Sequence, residues 1–227
     1  MELALDTSTE IASIALSRCG EVEAEMTWPS RQNHTVELVP NLLHLLHEAK
    51  IKLQEIDAII VAKGPGSFNG LRVGVGTAKG LAFALGIPLV GIGTLEVEAF
   101  PYAKTGLPIC PVQDAGRGEI AVASYQLQKG EWQKRVEEHI TTVEELANNI
   151  ASKTIFCGRF SPDIAQQIER QLGERAVIVC TSLRRAGFLA ELGWRRLERG
   201  EIDRPTTLQP LYLRRPSVTI KMTEAGR

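Results

Sequence analysis

Three short apolar runs, a helical stretch and then alternating strand and helix patterns occur in the same order twice along this chain. Leu3 to Leu5, Ile11 to Leu16 and Val22 to Trp28 read as strands, separated by the turns Asp6-Thr7-Ser8-Thr9 and Cys19-Gly20. A helix is predicted from about Thr35 to Lys50. Ile56 to Ala62 is a continuous run rich in β-branched residues, the pattern of a strand buried on both faces. A Gly-rich loop, a helix over 70–85, a strand over 88–92 and a helix from near Leu95 complete a βββαβαβα order. The order then recurs. Ile109 to Val112, ending at Asp114, Glu119 to Leu127 and Trp132 to Ile140 read as strands. Thr142 to Ile150 reads as a helix capped by Thr141 or Thr142, with Glu144 and Glu145 near the positive end of its dipole. A strand over 154–157, a helix over 162–171, a strand over 176–180 and a helix over 184–199 follow. A local echo supports the duplication: Asp6 through Glu10-Ile11-Ala12 matches Asp114 through Glu119-Ile120-Ala121 with one inserted residue. The sequence therefore predicts two similar α/β halves meeting near residues 103–108, an N-terminal subdomain over 1–105 and a C-terminal one over 106–227.

The chain of 227 residues is 44% hydrophobic and 23% charged, which excludes a disordered protein, a coiled coil and a collagen-like repeat. Aromatic residues make up only 5%, so Leu, Ile, Val and Ala must build the core. The net charge of −1 gives no global basic field for nucleic acid. The charge is uneven, however: residues 1–150 carry a net −7 and residues 151–227 a net +6. The basic stretch, including Arg184, Arg185, Arg195, Arg196, Arg199, Arg214 and Arg215, reads either as a face for RNA or an acidic partner, or as solvated helix surface. Cys19, Cys110, Cys157 and Cys180 form no Cys-x-x-Cys pair and no disulfide framework, which suits a reducing cytosol. No basic leader precedes Leu3, and the longest apolar stretch, Leu81 to Gly93, is too short to span a bilayer. A cytoplasmic protein without membrane contact is expected, with residues 216–227 frayed beyond Pro216.

Two like halves would turn two acidic strand ends, Asp6 and Asp114, toward one cleft. Backbone N–H groups and the Thr7 and Ser8 hydroxyls there suit a phosphate or metal–phosphate group; the ordinary alternative is that Asp6 only caps a turn. The segment Gly64-Pro65-Gly66-Ser67-Phe68-Asn69-Gly70 follows a buried strand and opens a helix. It is neither a Walker A loop, lacking Gly-Lys-Ser/Thr, nor Gly-x-Gly-x-x-Gly, having Asn69 at the third position. Gly64, Pro65, Gly66, Ser67 and Gly70 read as a structural loop. The helix after it carries only Arg72 and Lys79 as charges, on one line, and small residues at Val73, Gly76, Gly80 and Ala84 on one face. The 35–50 helix is apolar over about half its circumference, wider than the ~100° stripe of a surface helix. Either the two helices bury each other and the sheet, or they form a protein interface; Val36, Val39, Leu43, Leu46, Arg72, Val73, Gly76, Thr77, Gly80 and Ala84 are the candidate contacts. Catalytic groups are not assignable: His44 and His47 lack further ligands, no His-x-x-x-His or Gly-x-Ser-x-Gly is present, and Ser67 has no partner base.

The opening Leu3-Ala4-Leu5-Asp6-Thr7-Ser8-Thr9, the block Gly64 to Gly74, Ala78-Lys79-Gly80-Leu81-Ala82, Asp114-Ala115-Gly116-Arg117-Gly118-Glu119 and the tail Pro210-Leu211-Tyr212-Leu213-Arg214 together resemble the TsaB family, also called YeaZ. The resemblance spans residues 1 to about 215, with Asn69 standing where that family usually has Thr. It implies an ASKHA (actin-like) fold of two ribonuclease-H-like halves. It also implies a non-catalytic accessory role in making threonylcarbamoyladenosine on tRNA. In that pathway the transferase is the paralogue TsaD, which binds a metal through His-x-x-x-His; here Leu38 stands four residues after His34. The family's first two helices, corresponding to about 33–50 and 70–85, pair with TsaD, a TsaE ATPase docks on the pair, and a homodimer through the same surface is expected when TsaD is absent. Transfer RNA would be met through the complex. No cofactor is required by this reading, and Asp6, Thr7, Ser8 and Asp114 leave room for weak ATP or ADP binding. The alternatives are an enzyme of the same superfamily, metallopeptidase-like or a small-molecule kinase.

Overall fold

The computed structural model describes residues 1–31, 33–179 and 183–214. Cys180, Arg215 and the tail 216–227 lie outside the described residues. Strands β1 (Glu2–Asp6), β2 (Ile11–Arg18) and β3 (Glu21–Pro29) lead into helix α1 (His34–Ala49). Strand β4 (Ala58–Gly64), helix α2 (Phe68–Leu85), β5 (Leu89–Gly93) and the short α3 (Thr94–Ala99) complete the first set. A single-turn 3-10 helix lies between α1 and β4, and a second links α3 to the second set. The second set runs β6 (Ile109–Gly116), β7 (Glu119–Gln128), β8 (Glu131–Thr141), α4 (Val143–Asn148), β9 (Thr154–Cys157), α5 (Pro162–Leu172), β10 (Ala176–Val179) and α6 (Ala186–Glu198).

The first sheet has the order β3-β2-β1-β4-β5 and the second β10-β9-β6-β7-β8, the same order read from the opposite edge. In each, the first three strands are antiparallel neighbours and the last two run parallel to the first. The predicted duplication is thus present in the sheets. The echo is structural as well: the Asp6 carboxylate accepts from the Ser8 backbone N–H at 2.9 Å, and the Asp114 carboxylate from Gly116 N–H at 2.7 Å. Each is an Asp turn at the carboxyl end of its unit's first strand.

Helix boundaries follow from their caps. Ser67 accepts from Gly70 N–H and starts α2, so Asn69 lies inside the helix and not at its cap. Thr142 accepts from Glu145 N–H to start α4, and Ser161, ahead of Pro162, caps α5.

Alternation along the strands sends side chains to two apolar faces. On the first sheet, Leu3, Leu5, Ile14, Leu16, Ile59 and Val61 pack under α1 and α2. The opposite face, from Ala4, Ala15, Ile60 and Ala62, packs against Ala186, Leu189, Ala190 and Leu192 of α6. The small strand residues bring α6 close, and a Cβ on Gly193 would lie 2.5 Å from Ile60. On the second sheet, Val112, Ile120, Val122 and Phe156 face α4 and α5, while Ile109, Ala123, Ile155 and Tyr125 pack on Leu95 and Ala99 of α3.

The helix over 186–198 does not sit with the sheet that precedes it but crosses back to cover the first sheet. A helical pattern shows that one face must be buried; it does not say against which sheet. Because α6 is core to the first unit, Leu189→Ala is expected to cost about 2–5 kcal/mol, measured by urea denaturation of the full chain.

Candidate functional site

The carboxyl ends of β1 and β6 face one crevice of about 410 Å³ between the halves. Ligands in open α/β sheets bind outside such strand ends, so the predicted phosphate-binding turns lie where the fold class would use them. The polar groups of the Asp6 turn, however, are spoken for. Thr7 Oγ1 donates to Gly70 O at 2.7 Å, and Ser67 N–H donates to Ser8 O at 2.8 Å. The turn is thereby sewn to the start of α2. The approach is so close that a Cβ on Gly70 would collide with the Thr7 carbonyl. Ser8 Oγ donates to Asp6 at 2.5 Å.

Arg184 comes from the segment leading into α6. Its Nε donates to Asp6 at 2.5 Å, its Nη2 donates to Ser8 Oγ, and its Nη1 lies 3.5 Å from Glu98 of α3. The side chains of Asp6, Glu98 and Arg184 are 3%, 5% and 10% exposed. Burial opposes the charged guanidinium, but Asp6 and Glu98 outweigh it and raise its pKa. Asp114, the topological counterpart of Asp6, is exposed on the rim beside Arg159.

A second polar cluster involves Glu96, nearer the start of α3. Burial raises the pKa of Glu96, whose side chain is 11% exposed, and Arg196 at 3.6 Å only partly offsets this. Glu138 accepts from Tyr125 Oη at 3.0 Å and from Lys134 at 2.8 Å. Burial acts against its charge, yet the Lys134 and Tyr125 hydrogen bonds hold it below the usual carboxylate range.

The segment after α6 straps the halves together. Leu208 is buried in the first core, and Lys79 donates to its carbonyl at 3.0 Å. Leu211 N–H donates to Lys63 O at 2.6 Å. The Tyr212 ring packs tilted by 37° against Phe68 with centroids 5.0 Å apart, and Arg72 lies 4.0 Å over the Phe68 ring. Arg214 then reaches the second half, donating to Ala115 O at 2.9 Å and pairing with Glu119.

The candidate interface residues divide. Val36, Val39 and Leu43 are 69%, 47% and 55% exposed on α1. On α2, Arg72, Gly76, Gly80 and Ala84 are exposed, Val73 and Thr77 half-buried. Nothing lies within 4 Å of a Cβ built on Gly76 or Gly80. Leu46 is a correction: it is buried in the first core, because α1 turns that edge of its wide apolar arc onto the sheet. The sequence reading missed Phe83, 78% exposed on α2; its spacing of three from Gly80 and seven from Gly76 was the available signal.

His44, His47 and His139 are exposed, and buried His34 bonds the Thr9 carbonyl through Nε2 at 2.8 Å. Among the described residues, no three His, Cys, Asp or Glu side chains are grouped to hold a metal. Burial pushes the Cys110 thiol up to about 12 and Cys157 well above its ordinary value, so both are protonated packing groups. Most of the basic stretch is ion-paired: Arg185 with Glu25, Arg195 with Glu191, Arg196 with Glu96 and Glu201. No described helix is long and apolar enough to cross a membrane.

A family model described as "TsaD: tRNA N6-adenosine threonylcarbamoyltransferase" matches residues 27–220. The tRNA threonylcarbamoyladenosine biosynthesis protein TsaB of Bacillus subtilis is 34% identical over 179 residues, 78% of each chain. The solved structure of YeaZ from Pseudomonas aeruginosa is 30% identical with a TM-score of 0.79, covering 93% of this chain and 99% of that one. The chain belongs to the TsaB/YeaZ family. A ROK hexokinase from Thermus thermophilus, 10% identical with a TM-score of 0.52, shares only the fold, which is the ASKHA architecture of two ribonuclease-H-like halves. In this member of the TsaB family the crevice is internally paired, and the exposed apolar side chains gather on α1 and α2.

The Glu96 environment has a pH signature. The folded state binds a proton on Glu96 more tightly than the unfolded chain does. Its contribution to stability is thus fully present below the ordinary carboxylate value of 4.5 and is lost as pH rises through the raised folded value. Relative to Glu96→Gln, the natural chain is expected to gain stability as pH falls from neutral toward that value, measured by urea denaturation of both proteins across the range.

Proposed function

We propose that the chain is an accessory subunit in tRNA threonylcarbamoyladenosine synthesis, pairing with a TsaD-type transferase through the exposed sides of α1 and α2. The observation that carries this reading is the apolar surface there. Of the eight large hydrophobic side chains exposed among the described residues, Val36, Val39, Leu43 and Phe83 lie on these two helices. Gly76 and Gly80 beside them leave the α2 backbone open, so a partner helix can approach more closely than larger side chains would allow. Apolar burial would drive association, and Arg72 at the end of the face would orient it. Pairing would then favour the transferase conformation competent for reaction, so this chain would act on rate through its partner's equilibrium. The same surface would close a homodimer when no transferase is present. A TsaE-type ATPase would dock on the pair, and tRNA would be contacted by the assembly.

The test is reconstitution of a TsaD-type transferase, a TsaE-type ATPase, threonylcarbamoyl-AMP and tRNA, with and without this chain. Modification only in its presence, and none from it alone, is the expected result; equal modification without it overturns the reading. Gly80→Leu is expected to keep the fold, since the added side chain enters open space, while weakening pairing at least tenfold by size-exclusion and titration. Normal pairing by that variant removes α2 from the interface.

A further inference from the structure

We infer that Arg184 is a built-in counter-ion: its guanidinium fills the acidic floor of the crevice formed by Asp6, Ser8 and Glu98, and so bars a divalent cation and its phosphate ligand from that floor. The inference rests on geometry within this chain and is independent of the pairing face.

Three observations carry it. First, the floor is built to hold positive charge. Asp6 and Glu98 are nearly fully buried, and two buried carboxylates facing one point demand a cation. Second, the cation present is the chain's own. Arg184 meets Asp6 through Nε at 2.5 Å and Nη2 at 3.4 Å, meets Ser8 through Nη2, and reaches Glu98 through Nη1. A planar guanidinium presents donors in a fixed fork, so it satisfies both carboxylates and the hydroxyl at once; an ammonium does not. Third, the pairing is selective between two equivalent turns. Asp6 and Asp114 make the same turn at the same strand end of the duplicated fold, but only Asp6 is buried on an arginine. The crevice thus keeps one open rim at Asp114 and a closed floor at Asp6. Arg184 also anchors the chain where it returns to the first sheet, immediately before α6.

The isolated full chain tests this by thermal unfolding and calorimetric titration. The natural protein is expected to show no Mg²⁺-dependent binding of ATP or ADP at millimolar ligand and no thermal shift with either. Arg184→Gly removes the guanidinium from two buried carboxylates and is expected to lower Tm by about 10 °C. Millimolar methylguanidinium should restore much of that loss, whereas equal sodium chloride should not. Arg184→Lys should fall between the two proteins, because one ammonium bridges fewer of the same acceptors. Unchanged stability of Arg184→Gly, or rescue by any salt alike, overturns the counter-ion role. Magnesium-dependent nucleotide binding by the natural protein that Asp6→Asn abolishes overturns the exclusion. If Arg184→Gly does not fold, the Arg184→Lys shift and the titration of the natural protein decide the matter by themselves.

Discussion

Neither β-sheet of this protein can cover its own inner face. Each unit brings two helices for the outer side of its sheet, α1 and α2 for the first, α4 and α5 for the second. The inner sides are covered by exchange: α3, which ends the first unit, packs chiefly on the second sheet, and α6, which ends the second, packs on the first. Apolar residues on both faces of the strands make that exchange obligatory, since an uncovered inner face would leave Ala4, Ile60 and Val90 in water. The buried Arg184–Asp6–Glu98 network sits where the exchange is made, between the acidic end of β1, the buried helix α3 and the return into α6.

Much of this was legible in the sequence, and the limits are physical. Strand and helix order depends on local periodicity, and each predicted element is present with ends within about two residues of the expectation. The Asp6 and Asp114 echo was readable because turn chemistry is local: the same carboxylate-to-backbone bond forms two residues on in both turns. The destination of α6 was not readable, because amphipathicity marks a buried face without naming what buries it. The partner of Asp6 was hidden for the same reason, lying 178 residues away among arginines that looked like solvated surface. On α1 the helical wheel grouped Leu46 with Leu43, but only the sheet's position decides which edge of a wide apolar arc turns inward.

The structure holds two surfaces of opposite character. The crevice is tightly bonded to itself: Thr7 to Gly70, Ser8 to Asp6, Arg184 to all the charged groups of the floor. The outer helical face is the reverse, with apolar side chains in solvent and a glycine-lined backbone without neighbours. Internal satisfaction makes the first a rigid junction, and lack of satisfaction makes the second a surface that gains by association. The strap from Leu208 to Arg214 adds to the rigidity, joining the end of β4 to the end of β6.

The exchanged helices also set an order of events at the ribosome. The first sheet is complete in sequence at Gly93, but the helix that covers most of its inner face begins only at Ala186. At roughly 5–20 residues per second, the nascent first unit would wait about 5–20 s with one apolar face only partly covered. During that interval its stability must come chiefly from α1 and α2 on the opposite side of the sheet, with Val97 and Phe100 covering part of the inner face. The second unit, by contrast, meets α3 already made. A duplicated architecture is therefore asymmetric in time, and the half synthesised first is the one exposed to misassembly with another nascent chain.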